Sequence, residues 1–97
     1  LLSLIYMDGE FKSYLFIDVR VHDEYAQAHV PGAINITVGE IAENHPRLKE
    51  LDKNTEIVVY CAAGGRAEQA KKKLESLGFS KVINGINKLE VEKKYLS

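Results

Sequence analysis

Short apolar runs alternate along the chain with segments of helical spacing, and this alternation constrains the fold more than any other feature. The run Ile57-Val58-Val59-Tyr60 is apolar at successive positions, as expected of a strand that is buried on both faces. Strands of this kind occur in parallel sheets that helices cover on both sides. We therefore expect a single α/β domain over residues 1–97, with a mostly parallel central sheet and helices on both faces.

The same patterns predict the individual elements. Predicted strands cover residues 14–19, 33–36, 56–60 and 81–84, and predicted helices cover residues 22–28, 66–77 and 86–95. Short helical turns are expected at residues 38–44 and 46–51, and residues 1–6 should form either a short strand or a frayed end. Asp8-Gly9 and Asn84-Gly85 are turn signals. Gly78 is the expected C-terminal cap of the helix at 66–77, with Phe79 folding back on its last turn.

The chain has one cysteine, Cys61, which lies between the strand at 56–60 and the helix at 66–77. A helix N-terminus offers unpaired N–H groups and the positive end of the helix dipole, which stabilise a thiolate and lower its pKa. The residues Ala62-Ala63-Gly64-Gly65 are small enough to turn tightly and to direct N–H groups at one point. Arg66 adds a permanent positive charge. These features favour a nucleophilic sulfur, whereas a strand-end cysteine without them is commonly an inert core residue.

Composition excludes several classes of function. A hydrophobic content of 45%, a charged content of 28% and a net charge of −1 give no electrostatic case for binding nucleic acid or an anionic membrane. The run Lys71-Lys72-Lys73 is expected to be a solvated helix face that pairs with Glu68 and Glu75.

A single cysteine excludes an internal disulfide. Because the chain begins without methionine, we expect an upstream segment. The compartment stays open between the cytoplasm and, where that segment is a signal peptide, the periplasm.

Three segments, taken in order, resemble the motifs of the rhodanese family. They are Asp18-Val19-Arg20 with Glu24 nearby, residues 28–35 with the sequence AHVPGAIN, and residues 61–66 with the sequence CAAGGR. The second is similar to the family's His-[Ile/Val]-Pro-Gly-Ala turn, and the third to its Cys-x-x-Gly-x-Arg active loop. The resemblance covers residues 15–89 and implies a single rhodanese-like domain whose N-terminal element, at residues 1–14, is incomplete.

The resemblance implies a sulfurtransferase with Cys61 as the catalytic residue. Cys61 would take the outer sulfur of a small anionic donor, thiosulfate or a polysulfide, and hold it as a persulfide. The acceptor would be cyanide or a thiol, with a thioredoxin-like protein as one candidate. The active-site loop would consist of Ala62, Ala63, Gly64, Gly65 and Arg66, whose N–H groups would stabilise negative charge. Arg66 would either support the loop or face the donor, and loop support is favoured. No cofactor and no metal are implied, and a monomer is expected.

Asp18 and Arg20 are expected to support the site rather than to react. Asp18 ends a strand that neighbours the strand of Cys61, and its carboxylate is expected to accept N–H bonds from the loop. Arg20 is expected to pair with Glu24, four residues further on.

The chain also departs from the family pattern at two places. Residues 84–87 have the sequence NGIN and hold at most one of the family's paired glycines, which puts the shape of the pocket wall in doubt. Ala62 and Ala63 occupy positions that are basic in some users of thiosulfate. The second departure predicts weak thiosulfate binding and a preference for polysulfide or a small persulfide.

Two other functions stay open at this point. A non-catalytic regulatory or docking module would share the fold, although such domains typically lack the cysteine that Cys61 supplies. A Cys-dependent phosphatase or arsenate reductase would use Cys-x5-Arg, whereas four residues separate Cys61 from Arg66, a spacing that suits one sulfur atom better than a phosphate. His22, His29 and His45 lack the close spacing of a zinc pair, so no metal site is predicted.

Overall fold

The computed structural model of the chain describes residues 3–7 and 10–96. In chain order the elements are β1 (Ser3–Met7), β2 (Glu10–Asp18), α1 (His22–Gln27), β3 (Ile34–Asn35), a 3-10 helix (Val38–Glu40), α2 (Pro46–Lys49), β4 (Ile57–Cys61), α3 (Gly65–Ser76), β5 (Val82–Asn87) and α4 (Lys88–Tyr95). Each predicted strand and helix is present, with ends that differ by a few residues. The predicted turn at Asp8-Gly9 lies outside the described residues.

Within the described residues the strands form one mixed sheet, in which β1 alone runs antiparallel to its neighbour. β1 pairs antiparallel with β2, whereas the pairs β2–β3, β2–β4 and β4–β5 are parallel. The mostly parallel sheet predicted from the apolar runs is therefore confirmed. Asp18 of β2 lies opposite Tyr60 of β4, so both strands end at the same edge of the sheet. Ligand sites of parallel sheets lie at this carboxyl edge, and Cys61 is the last residue of β4.

Helices cover both faces of the sheet, as predicted. Val58 and Val59 are adjacent in β4 and are both fully buried, because successive strand side chains point to opposite faces. Val59 lies in a core with Leu74 of α3, and Val58 lies in a second core with Val91 of α4. Full burial of one such side chain stabilises the fold by about 1.5–3 kcal/mol before entropy losses are counted. The two cores pack against opposite faces of β4 and thereby fix the position of Cys61 at the end of this strand.

The end of α3 confirms the predicted glycine cap. Gly78 has φ 102°, a left-handed conformation that glycine adopts without a steric penalty. The Gly78 N–H donates to the carbonyl of Glu75 at 3.0 Å, and the Phe79 N–H donates to that of Leu74 at 3.2 Å. This is the Schellman pattern of hydrogen bonds. Phe79 is 2% exposed and joins the core beneath α3, which anchors the far end of the helix that begins at the Cys61 loop.

β5 differs from the prediction, because the turn expected at Asn84-Gly85 is a bulge inside a strand. Asn84 lies opposite Val59 and Asn87 opposite Cys61, so β5 has one residue more than β4 over this stretch. The extra residue is accommodated by Ile86, whose φ of 75° is unusual for a β-branched side chain. α4 consequently begins at residue 88, two residues later than predicted.

Candidate active site

Cys61 lies where a buried strand meets the start of a helix. Its side chain belongs to the core beneath α3, and the residue is only 2% exposed. Ala62 and Ala63 are exposed, and Gly64 then turns the chain into α3 with φ 98°. A side chain at Gly64 would be strained in this left-handed conformation. The small residues that follow Cys61 thus allow the chain to wrap back over the sulfur.

Two main-chain amides donate hydrogen bonds directly to the sulfur. The Gly64 N–H lies 3.1 Å from Cys61 Sγ, and the Ala67 N–H lies 3.3 Å from it. Ala67 is absent from the set of loop residues predicted from the sequence. It occupies the third position of α3, and the first N–H groups of a helix have no partner within the helix. Counting helix positions from Gly64 as the N-terminal cap would have found it.

The balance of burial and hydrogen bonding favours the thiolate. Burial alone would raise the pKa of the Cys61 thiol, but backbone hydrogen bonds from Ala67, Ala63, Gly64 and Arg66 outweigh it, so that the pKa is lowered from 9.0. Hydrogen bonds to the charged form of a group stabilise that form. Of the five loop amides predicted to converge on the sulfur, Gly64 donates to it directly, and Ala63 and Arg66 contribute to the lowered pKa. Ala67, outside the predicted set, supplies the second direct bond.

Arg66 forms a two-point ion pair with Glu24 of α1. Nη1 lies 2.7 Å from Glu24 Oε1, and Nη2 lies 3.3 Å from Oε2. The hydrogen bond from Arg66 is the largest cause that lowers the pKa of Glu24. The pair ties the start of α3 to α1, as a loop-supporting residue would. Glu24 was expected to pair with Arg20 instead, and that expectation is wrong.

Asp18 and Arg20 pair with each other beside the site. The carboxylate of Asp18 is fully buried and accepts hydrogen bonds from the Arg20 main-chain N–H at 2.9 Å, from Nε at 3.0 Å and from Nη2 at 2.7 Å. Arg20 Nη2 also donates to the carbonyl of Ala28. The expectation that Asp18 accepts bonds from the Cys61 loop is therefore wrong, because Arg20 occupies the carboxylate. The pair secures both ends of α1, the helix that carries Glu24.

Asn35 is a further support that sequence reasoning missed. Its Nδ2 donates to the main-chain carbonyls of Asp18 at 2.8 Å and Arg20 at 3.0 Å. Its Oδ1 contacts Nδ1 of His22, the first residue of α1. Asp18 and Arg20 are thus held by a polar network between β2, β3 and α1.

Comparison with known proteins agrees with this arrangement. The family model of the rhodanese-like domain matches residues 3–87. The chain belongs to the rhodanese-like domain family. A solved structure of a rhodanese with anions from E. coli superposes with a TM-score of 0.71 at 39% identity, covering 79% of this chain and 89% of that one. A rhodanese-like domain from Anabaena sp. superposes with a TM-score of 0.72 at 28% identity, covering 88% of this chain and 62% of that one.

Curated relatives of this rhodanese-like domain differ in length and in name. It is 41% identical over 83 residues to the thiosulfate sulfurtransferase PspE of Escherichia coli strain K12, covering 86% of this chain and 79% of PspE. It is 41% identical over 73 residues to the putative sulfur carrier protein YrkF of Bacillus subtilis strain 168, covering 75% of this chain. The aligned segment is only 38% of YrkF. Family membership is therefore firm, while the reaction of this domain has to be argued from its own site.

The histidines of the rhodanese-like domain have local partners. The ring of His29 stacks on that of Tyr25 with centroids 3.8 Å apart, and its Nδ1 contacts the Tyr25 carbonyl at 2.9 Å. The His45 ring accepts a hydrogen bond from the Arg47 N–H at the start of α2. Within residues 3–7 and 10–96, no three His, Cys, Asp or Glu side chains cluster in a way that could hold a metal ion. Over the same residues, no helix has the length and apolar character needed to cross a membrane.

Proposed function

We propose that this rhodanese-like domain is a sulfurtransferase in which Cys61 carries sulfane sulfur as a persulfide. The observation that supports this most directly is the pair of N–H groups, from Gly64 and Ala67, that point at Sγ and favour its ionised form. A thiolate prepared in this way needs no separate general base. The similarity to the thiosulfate sulfurtransferase PspE adds support for the same class of reaction.

The reaction consists of two displacements at sulfur. With thiosulfate as the donor, the Cys61 thiolate attacks the outer sulfur and a new S–S bond forms. The old S–S bond breaks, and sulfite leaves with the electron pair. An acceptor, cyanide or a thiolate, then attacks the outer sulfur of the persulfide, leaves as thiocyanate or as a new persulfide, and restores the Cys61 thiolate. No proton and no external oxidant or reductant is needed, and the order is ping-pong.

The loop stabilises the same charge throughout this cycle. Negative charge lies first on Sγ and then spreads over the two sulfur atoms of the persulfide. Preorganised N–H groups lower the energy of such an anion without having to reorganise during the reaction. The ion pair between Arg66 and Glu24 holds the first turn of α3, which supplies the Ala67 N–H. In this proposal Arg66 acts on the reaction by positioning the amides.

The charges of the loop favour a donor other than thiosulfate. Arg66 is the only cationic side chain between residues 61 and 66, and its guanidinium is engaged by the carboxylate of Glu24. The dianion thiosulfate would therefore meet no free cation within the loop itself. A small organic persulfide, which carries one negative charge, or a polysulfide, whose two charges lie at opposite ends of its sulfur chain, is the preferred donor in this proposal. Steady-state kinetics with both donors test it, and tight saturation by thiosulfate would refute the preference.

Intact-mass spectrometry tests the assignment as a whole. The protein is incubated with thiosulfate or polysulfide, freed of small molecules and weighed before and after reduction. We expect a gain of one sulfur atom that the reductant removes and that is absent in Cys61→Ser, a nearly isosteric control. Because Cys61 is the only cysteine, any such gain reports on this site. No gain with either donor would favour the non-catalytic module, and turnover of an aryl phosphate would favour the phosphatase.

A further inference from the structure

The side chain of Asn84 joins the bulge of β5 to the Cys61 loop. Its Nδ2 donates to the main-chain carbonyl of Gly64 at 3.1 Å and to Oε1 of Glu68 at 3.2 Å. Its Oδ1 accepts from the Ile86 N–H at 2.9 Å. The partners fix the orientation of the amide, because the carbonyl and the carboxylate only accept hydrogen bonds and the main-chain N–H only donates. Both hydrogens of Nδ2 are thereby used.

Gly64 is the residue whose orientation matters most for the sulfur. Its N–H donates to Cys61 Sγ, while its carbonyl, on the other side of the same Cα, accepts from Asn84 and from the Glu68 N–H at 2.9 Å. Glycine has the greatest backbone freedom of any residue, and Gly64 holds φ at 98°. An external contact that fixes the carbonyl therefore limits how far the N–H can swing away from the sulfur.

The same side chain also holds the strained residue that packs against the loop. Ile86 has φ 75°, and its N–H bonds to Oδ1 of Asn84. A Cβ placed on Gly64 would lie 3.5 Å from Cγ2 of Ile86, so the bulge and the loop are in close contact. Loss of the Asn84 side chain would remove a hydrogen bond from each side of this contact, from Gly64 and from Ile86. Asn84 is half-buried, which shields its hydrogen bonds in part from competing water.

We propose that Asn84 is a positioning residue for the Cys61 thiolate, acting by fixing Gly64 so that its N–H stays on the sulfur. The role in catalysis rests on the proposed function, but the role in preparing the thiolate does not. Asn84 lies on β5, outside the segment Cys61–Arg66, and it touches the sulfur only through Gly64. A residue that merely stabilised the fold would change the melting temperature without changing the ionisation of the thiol.

The test measures the rate at which iodoacetamide alkylates the protein as a function of pH. Alkylation reports on Cys61 alone, because the chain has no other cysteine. In Asn84→Ala we expect the apparent thiol pKa to rise by about 0.5–1 unit, which corresponds to the loss of much of one hydrogen bond. At a pH below the thiol pKa of both proteins, the variant should hold about three- to tenfold less thiolate than the wild type. Asn84→Ser is the second variant, since its hydroxyl can still accept from the Ile86 N–H but lacks the amide donor for Gly64. The same rise is expected there.

Two controls separate positioning from general loosening. Glu68→Ala removes the other acceptor of Asn84 and a negative charge near the site, so it should leave the thiol pKa unchanged or lower it. Ser80→Ala removes hydrogen bonds to Lys53 and Asn54 at the opposite edge of the sheet, and should affect stability only. An alkylation profile of folded Asn84→Ser that superimposes on the wild type would overturn the proposal, as would an equal rise in Ser80→Ala. Alkylation needs no sulfur donor, so failure of sulfur loading in the wild type would overturn the proposed function and leave this result standing.

Discussion

Gly85 offers a sharp test of the packing that holds the β5 bulge against β4. A Cβ on Gly85 would lie 2.6 Å from Cγ2 of Val91, 2.8 Å from Cγ1 of Val58 and 3.3 Å from the carbonyl oxygen of Val59. Val91 and Val58 are 1% and 0% exposed, so neither short side chain has free space into which it could move. Gly85→Ala should therefore force β5 and α4 apart by several tenths of an ångström.

The expected cost follows from the general penalty of overpacking. Extra methyl groups in a tight core destabilise proteins by about 1–3 kcal/mol. For a domain of this size each kcal/mol lowers the melting temperature by about 4–8 °C, which gives a fall of about 4–24 °C. Gly39→Ala is the matched control, because a Cβ at Gly39 would meet nothing within 4 Å. It should be neutral or stabilise by up to about 1 kcal/mol through the unfolded state.

Thermal and urea unfolding of both variants measure the difference. If Gly85→Ala melts within a degree or so of the wild type, or if Gly39→Ala loses as much stability, the packing argument fails. A third variant adds a check on the cause. Val91→Ala in the Gly85→Ala background removes the nearest clashing atom, so the two changes together should cost less than the sum of their separate effects.

Three other predictions concern the site and its support. Arg66→Ala should slow sulfur transfer by releasing the start of α3. Arg66→Lys should restore only part of the rate, because an ammonium cannot form the two-point pair with Glu24. Full activity of Arg66→Ala in a kcat/KM assay would contradict the loop-supporting role of Arg66. Because the folded pKa of Cys61 is lowered from 9.0, the thiolate's contribution to stability is complete above 9.0 and is lost as pH falls through the folded pKa. The unfolding free energy of the wild type minus that of Cys61→Ser should thus rise with pH over this window, and a flat difference would speak against a stabilised thiolate. Tyr60→Phe should lower the free energy of unfolding by about 1–3 kcal/mol, because the Tyr60 hydroxyl accepts a hydrogen bond from the buried Val30 N–H at 2.9 Å. An unchanged urea midpoint would count against a stabilising role of this hydrogen bond.

The features that the sequence predicted correctly are those set by local pattern. The sequence placed Cys61 at the carboxyl edge of the sheet, from the buried run Ile57–Tyr60 and the helical spacing after it. This placement is confirmed, and the apolar run predicted it because β4 is buried on both faces, between the two cores. The partner of Arg66 was not predictable in the same way. Glu24 lies 42 residues away in the chain, and only the folded sheet brings the two together.

Two wrong expectations show where local rules stop applying. The pairing of Arg20 with Glu24 was expected from their four-residue spacing, but that rule applies within a helix and Arg20 lies two residues before α1. The Asn84-Gly85 dipeptide is a common turn signal, but in this structure it lies inside a strand. Position 85 has no room for a Cβ, and the side chain of Asn84 bonds to Gly64 and Ile86. The bond to Ile86 is local, but the bond to Gly64 and the contact with Val58 are tertiary, and no short window of the sequence contains them.

In the proposed reaction, the burial of Cys61 would decide which sulfur atom an acceptor attacks. The inner atom of a persulfide would belong to a residue that is 2% exposed, whereas the terminal atom would project one bond further from it. An incoming thiolate would therefore attack the terminal atom and depart with it, rather than displace hydrogen sulfide and become joined to the protein. Mass spectra taken during turnover with a small thiol should show persulfidated acceptor and no protein–acceptor disulfide.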